Sequence, residues 1–398
     1  MKLALVADTF VPLRTSGAVQ LRDLSREFVR QGHDLTVLLP GSDQNQPWVL
    51  EDMDGVRVLR LKAPRTKDIG RIRRALAELA MPFAMRRAMR ASPLAQARWD
   101  GVVWYSPSIF HGPLVKVLKR ASGCKGYLII RDIFPEWAAD MGLMGRGLPY
   151  CFFQAIARYQ YSVADFIGVQ SPGNLEYFSS FLARHPERRV EVLQNWLGKE
   201  TESPCPIDIT RTALAGRRIF VYAGNMGVAQ QMDKLLDLAT AMRDHENIGF
   251  LFVGRGSEAS RLRRRANELR LYNTLFHDEI SPDEIPALYR QCDVGLISLD
   301  SRHKTHNIPG KFLTYMQAGL PVLASVNDGN DLKALIEAKG VGRVSVEPTT
   351  RDLPELAAGM LEREVRDETI RARCRSLSEE MFSARAAVQQ ILRALEAR

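Results

Sequence analysis

The sequence predicts an α/β protein made of two doubly wound, Rossmann-like domains with a cleft between them. Three observations carry that prediction. Short continuous apolar runs alternate with stretches of helical period along most of the chain, the mark of parallel sheets covered on both faces. The alternation falls into two series, divided by a polar stretch with no sustained period. Several runs end in glycine-bearing loops that lead into a helix, and ligands of doubly wound sheets bind outside those strand ends.

In the first series LALVA (3–7), LTVLL (35–39), VRVLRL (56–61), GVVWY (101–105), GYLII (126–130) and FIGVQ (166–170) read as buried strands. Helical stretches between them include 18–31 and 173–184. The segment LGKETESPCPIDITRTALAG (197–216) is polar and proline-containing and reads as the linker. A second series follows with IFVYAG (219–224), IGFLFVG (248–254), DVGLISL (293–299) and PVLASV (321–326). The expected organisation is a first domain over 1–196, a linker over 197–216 and a second domain over 217–375. A final helix over 376–398 is expected to return to the first domain.

Composition bounds the class. A chain of 398 residues, 45% hydrophobic and 25% charged, is an ordinary soluble globular protein of two or three domains. It has no run of 18 apolar residues, so no membrane-spanning helix is expected. The start, MKLALVADTF, is too short in its apolar run for a signal-peptide core and reads as the first strand. The five cysteines are scattered without a CxxC pair, which argues against a disulfide framework or zinc site and for a reducing cytoplasm. A net charge of +9 favours phosphates, nucleic acid or an anionic membrane without choosing among them.

The strand-end loops narrow the choice. DTFVPLRTSGA follows the first strand, with Gly17 opening a helix. AGNMGVAQQMDKLL and VGRGSEASRL follow the first two strands of the second series, with Gly224 in one and Gly254 and Gly256 around Arg255 in the other. HNIPGKFLTYMQAGLPVLA (306–324) is the most informative. Phe312, Tyr315 and Met316 share a helix face, and Gly319 followed by Pro321 stops the helix. Lys311 stands in the first turn, where the helix dipole disfavours a cation. An anion held there would account for it, and with Arg255 and Lys311 the three loops of the second series make a diphosphate cradle.

On these stretches the whole chain resembles the retaining glycosyltransferases of family 4, which have the GT-B fold. FVPLRTSGAVQLRDLSREFVRQGHDLTVL, FVYAGNMGVAQQMDKLLDLA and NIPGKFLTYMQAGLPVLA carry the resemblance. IIRDIFPEWAADMGLM (129–144), VQSPGN (169–174) and LQNW (193–196) resemble the branch of N-acetyl-L-fucosamine transferases of bacterial O-antigen and capsule assembly. The resemblance implies a UDP-sugar donor, bound mainly by the second domain, and a polyprenyl-diphosphate-linked sugar acceptor. The UDP-sugar is then a substrate and no separate cofactor is expected. Donor binding is expected from Gly17, Gly224, Asn225, Arg255, Asn307, Gly310 and Lys311.

The chain departs from the family pattern in two places. Many members have two glutamates seven residues apart around the last helix, where this chain has His306 and Thr314. Many also have an Arg and a Lys after the first strand of the second domain, where this chain has Asn225 and either Gln230 or Gln231. Lys311 is the natural replacement cation for the diphosphate.

Sugar transfer leaves negative charge on the departing diphosphate while the sugar becomes oxocarbenium-like, and fixed cations and helix N-termini stabilise that change. Lys311 and Asp132 are the candidate catalytic residues. Asp132 ends the strand GYLII and, by the resemblance, lies near the sugar, although aspartate there also suits a simple turn cap. The Asp-Met-Asp at 52–54 precedes a strand rather than following one, so metal-independent chemistry is expected. His111 and His306 have no assigned role. Asn195 is a candidate hinge or donor contact, beside Trp196, which reads as core.

Residues 67–90 set Ile69, Ile72, Leu76, Leu79 and Phe83 on one helical stripe among arginines. Either the stripe faces the sheet with solvated arginines, or Arg86, Arg87 and Arg90 face an anionic membrane. The expected partners are the nucleotide-sugar donor, the lipid-linked acceptor and the membrane surface, with the protein peripheral on the inner face of the cytoplasmic membrane. Nucleic acid is not expected, since no recognition motif is present. A dinucleotide oxidoreductase lacks its GxGxxG, and a Walker loop fails because Phe312 follows Lys311. The remaining alternative is a sugar-nucleotide epimerase of the same fold, acting without a lipid acceptor.

Overall fold

A computed structural model describes residues 1–397 except 14, 54, 68, 200–202, 301–307, 347–351 and 363–366. The chain forms two compact units, Met1–Gly198 with Ala384–Arg398, and Lys199–Ser383.

Unit 1 contains β1 (Lys2–Val6), α1 (Ser16–Arg30), β2 (Asp34–Gly41), β3 (Trp48–Met53), β4 (Val56–Lys62), α2 (Arg71–Arg90) and β5 (Gly101–Ser106). It continues through α3 (Gly112–Ser122), β6 (Lys125–Ile130), α4 (Glu136–Asp140), α5 (Leu148–Val163), β7 (Phe166–Val169), α6 (Ser179–Leu182) and β8 (Arg189–Val192). Its eight strands lie in the order β3-β4-β2-β1-β5-β6-β7-β8. All pairs are parallel except β3 with β4, a hairpin that pairs Trp48 with Leu61 and Met53 with Val56.

Unit 2 contains β9 (Arg218–Ala223), α7 (Asp233–Ala241), β10 (Ile248–Val253), α8 (Ala259–Glu268), β11 (Thr274–His277), α9 (Ile285–Tyr289) and β12 (Val294–Ser298). It continues through α10 (Gly310–Ala318), β13 (Val322–Ser325), α11 (Asp331–Lys339), β14 (Gly342–Ser345), α12 (Leu353–Glu362) and α13 (Glu368–Met381). Its six strands are all parallel in the order β11-β10-β9-β12-β13-β14. This is the doubly wound Rossmann order. It places the switch point of unit 2 at the carboxyl ends of β9 and β12, and that of unit 1 at β1 and β5.

The strands read as unbroken apolar runs because helices cover both faces. In unit 1, α2, α3 and α5 pack one face through Met81, Met85, Leu114, Val115 and Ala157. The other face is covered by α1 and by α14 (Ala384–Glu396), with Leu21, Leu24 and Phe28 meeting Val388, Ile391 and Leu395. In α14 the buried Ala384, Ala387, Val388, Ile391, Leu392 and Leu395 recur at helical spacing, and each large one contributes roughly 1.5–3 kcal/mol on burial.

Three boundaries differ from the sequence reading. The return to the first unit begins at Ala384 and not at 376, which lies inside α13. The reason is packing: α13 stays on unit 2, where Ile370, Cys374 and Leu377 are buried and Phe382 meets Phe312 edge-on at 5.9 Å. Part of the expected linker also belongs to unit 2. Ile207, Ile209 and Leu214 are buried, and the Ile209 N–H donates to Gln291 Oε1 at 3.0 Å. The helix expected over 173–184 is a 3-10 helix over Pro172–Phe178 before the short α6.

Candidate active site

Strand ends in unit 2 hold most of the donor-binding candidates. Gly224 follows β9, and its N–H donates to Val253 O at 2.9 Å, with φ at 143°. Gly254 and Gly256 follow β10 and explain themselves by packing. A Cβ on Gly254 would lie 2.0 Å from Gly224 O, and one on Gly256 would lie 2.3 Å from Met226 O. Both also adopt φ values, 145° and 153°, that L side chains rarely adopt. These glycines let the second loop support the first.

Lys311 completes this corner. It lies in the first turn of α10, whose N-cap is Pro309, with Gly310 opening the helix. Its Nζ stands 4.5 Å over the ring of the buried Tyr222, and its Cε is 3.5 Å from where a Gly224 Cβ would be. Desolvation pulls the ammonium pKa down to about 8. Among the described residues no carboxylate pairs with it. Among the described residues this half-buried cation at a helix N-terminus faces a ring and a glycine and has no counter-charge.

Neighbouring candidates are differently placed. Asn225 is exposed, and its amide donates to Gln230 Oε1 at 3.2 Å, an oxygen that also accepts from the Gly227 N–H at 3.0 Å. Gln230 thus shapes the loop. The Arg255 side chain is exposed and pairs with Glu279 at 3.0 Å, so part of its charge is already answered inside unit 2. Asn307 and His306 lie outside the described residues. Lys234, which spacing alone did not single out, is buried in the first turn of α7, with Nζ 3.3 Å from Ser325 Oγ. Burial lowers its pKa, opposed by Asp300 and Asp352.

In unit 1, Gly17 lies in the first turn of α1 at the switch point, where a Cβ would touch the Tyr105 hydroxyl at 3.4 Å. Arg131, directly before Asp132, reaches across to the same turn. Its guanidinium donates to Tyr105 Oη at 3.1 Å, to Ser16 Oγ at 2.9 Å and to Gln20 Oε1. Sequence reasoning passed over Arg131. Its signal was a lone arginine closing an apolar strand. Asp132 lies at the same strand end, and its carbonyl accepts from the Phe134 N–H at 3.1 Å. Asn195 is buried and donates to Gln170 Oε1 at 3.0 Å, and Gln170 donates to Arg131 O at 2.8 Å. Asn195 therefore helps hold the Arg131–Asp132 strand end. Trp196 is core and donates to Gln20 O at 2.7 Å. His111 is fully buried, and desolvation lowers its pKa against the opposing charge of Asp8.

Asp52 sits in the β3–β4 hairpin and accepts from the Gly55 N–H at 2.9 Å, while Asp54 lies outside the described residues. Asp52 is thus a turn cap. On α2 the stripe is split: Leu79 is half-buried against the core, and the stripe's other large apolar residues within the helix face outward. Ile72, Leu76 and Phe83 are 79%, 62% and 61% exposed, and Met81, Met85 and Met89 face inward instead. Arg87 and Arg90 are exposed, whereas Arg86 is half-buried and turned off that face.

The geometry of two Rossmann-like units matches a known class. Residues 16–196 match the family model described as "Glycosyl transferase 4-like domain", and residues 217–362 the one described as "Glycosyl transferases group 1". The chain is a glycosyltransferase of the GT-B architecture that joins these two domains. It is similar to "Probable glycosyltransferase WbjE" of Pseudomonas aeruginosa, 24% identical over 320 residues, 79% of this chain and 78% of that one. It is also similar to "Putative colanic acid biosynthesis glycosyl transferase WcaI" of Escherichia coli K12, 25% identical over 281 residues, 67% of each. Among solved structures it shares the fold of Anabaena Alr3699/HepE in complex with UDP-glucose, at a TM-score of 0.69, 14% identity and full coverage of both chains. These matches favour transfer over the epimerase alternative.

Proposed function

We propose that this chain moves a sugar, N-acetyl-L-fucosamine by its sequence resemblance, from a UDP donor to a polyprenyl-diphosphate-linked sugar during bacterial surface polysaccharide assembly. The reaction retains the anomeric configuration and runs at the inner face of the cytoplasmic membrane. One observation carries the donor half: the unpartnered, desolvated ammonium of Lys311 at the N-terminus of α10, beside Gly224. The neighbouring names support the setting, since WcaI is named for colanic acid biosynthesis and the HepE structure holds UDP-glucose.

In the step, the bond from the sugar C1 to the β-phosphate oxygen breaks, and that oxygen takes the electron pair. The acceptor hydroxyl forms the new bond to C1 on the face the diphosphate leaves and gives its proton to the departing phosphate oxygen. Lys311 and the α10 N–H groups stabilise the leaving diphosphate, in the role that positioned cations and helix N-termini commonly serve. Because they supply positive charge there, the reaction is proposed to need no metal. Asp132 is proposed to orient a sugar hydroxyl or offset positive charge at C1. The test is a panel of UDP-sugars, each incubated with and without a short-chain lipid-diphosphate-GlcNAc acceptor, with product NMR. Product only with acceptor and with retained configuration is the expected result. Nucleotide release with equal yield in its absence would reverse the proposal.

A further inference from the structure

One layer of unit 1 carries large exposed apolar side chains. On α2 the exposed Ile72, Leu76 and Phe83 share a line with the exposed Arg87 and Arg90. On α5 the exposed Leu148, Phe152 and Tyr159 form a second line, and Leu143 stands 67% exposed in the loop before it. Both helices pack against α3 on the same face of the sheet. Charge on this layer is one-sided. The sequences of α2, α3 and α5 contain ten basic residues and one acid, Glu78, which is already paired with Arg74 at 2.8 Å.

We propose that this layer docks on an anionic lipid bilayer, with the outward apolar side chains of α2 and α5 sinking below the headgroups and the arginines meeting lipid phosphates. The inference deepens the membrane setting proposed above by naming the surface and making it insert rather than only adhere. Apolar side chains flanked by cations are the pattern of interfacial binding, in which apolar burial and attraction to anionic lipid add. A second copy of the chain fits poorly, because it would set the exposed Arg73, Arg87, Arg90, Arg120 and Arg158 against their own copies. Arg86 takes no part, since it is half-buried and off the line of Phe83 and Arg87.

The test uses flotation with phosphatidylcholine vesicles, with and without 30% phosphatidylglycerol, at low and high salt. The wild-type protein should bind the anionic vesicles. Leu148→Ser with Phe152→Ser should weaken that binding by about 10²-fold, and the loss should persist in high salt. Arg87→Ser with Arg90→Ser should weaken it by roughly 30-fold at low salt and less at high salt. A second readout needs no substitution. Cys151 is the exposed cysteine of the five and sits between Leu148 and Phe152, so an environment-sensitive fluorophore on it should shift to the blue with anionic vesicles. Wild-type binding by both variants, or vesicle binding without the fluorescence shift, would overturn the proposal. So would self-association in light scattering without vesicle binding. Turnover on a detergent-soluble acceptor should remain in both variants, so failure here is separable from failure of the transferase reading.

Discussion

Lys311 holds its ammonium 4.5 Å above the ring of Tyr222, in the first turn of a helix whose dipole disfavours it. Cation–π attraction offsets part of that cost but supplies no counter-charge. Among the described residues its charge is unanswered, and its desolvation counts against the folded unit.

Replacing it should separate function from folding. Lys311→Ala should lower kcat by about 10²-fold or more, the scale of losing one oriented charge at a leaving group. Circular dichroism should show an intact fold. Wild-type kcat/KM in the folded variant would remove Lys311 from the mechanism.

The pH dependence of donor binding follows from the lowered pKa. A bound diphosphate favours the charged lysine and raises its pKa above the free value of about 8. Its contribution to UDP affinity should be complete below pH 8 and fall up to tenfold per pH unit above it. Titration calorimetry of UDP between pH 7 and 10 should show this bend, and Lys311→Met should lack it.

Stability should move the other way. A lysine whose folded pKa lies below its unfolded value penalises the folded state at low pH, and the penalty fades as pH rises from about 8 to 10.5. In the absence of nucleotide, Lys311→Met should thus melt higher than wild type at pH 7. The gap should narrow towards pH 10. A variant that melts lower at pH 7 would mean that the aliphatic stem and ring contact outweigh desolvation.

Gly254 should be intolerant of a side chain. Its Cβ would sit 2.0 Å from Gly224 O, at a φ of 145°. Gly254→Ala should cost on the order of 2–4 kcal/mol, the range for strain at a special backbone position combined with a clash. Urea denaturation would measure it. UDP affinity should fall as well, because the displaced atom belongs to the Gly224 loop.

Metal removal is the remaining check on the chemistry. On the proposed mechanism, in which Lys311 and helix N–H groups stabilise the leaving diphosphate, turnover should survive EDTA. Loss of turnover restored by magnesium or manganese would assign that charge to a metal instead.

Much of the fold was legible because it rests on local pattern. Continuous apolar runs mark strands covered on both faces, and Gly319 followed by Pro321 ends a helix whatever surrounds it. The place of Lys311 was legible for the same reason, since helix start signals put it in a first turn, where a cation is anomalous on the helix itself. What the chain alone left open depends on partners distant in sequence. Arg255 is a free cation in the sequence and an ion pair once Glu279 lies beside it. Gly254 looks like a phosphate loop glycine until the backbone of Gly224 is packed against it. Asn195 gains its role only through Gln170 and the Arg131 carbonyl. The stripe on α2 has one periodicity whether it faces in or out, and the packing of Met81, Met85 and Met89 turned Ile72, Leu76 and Phe83 outward while Leu79 stayed against the core. Period and capping are properties of neighbours along the chain. Burial, pairing and close backbone approach are properties of neighbours in space, and only the folded structure supplies those.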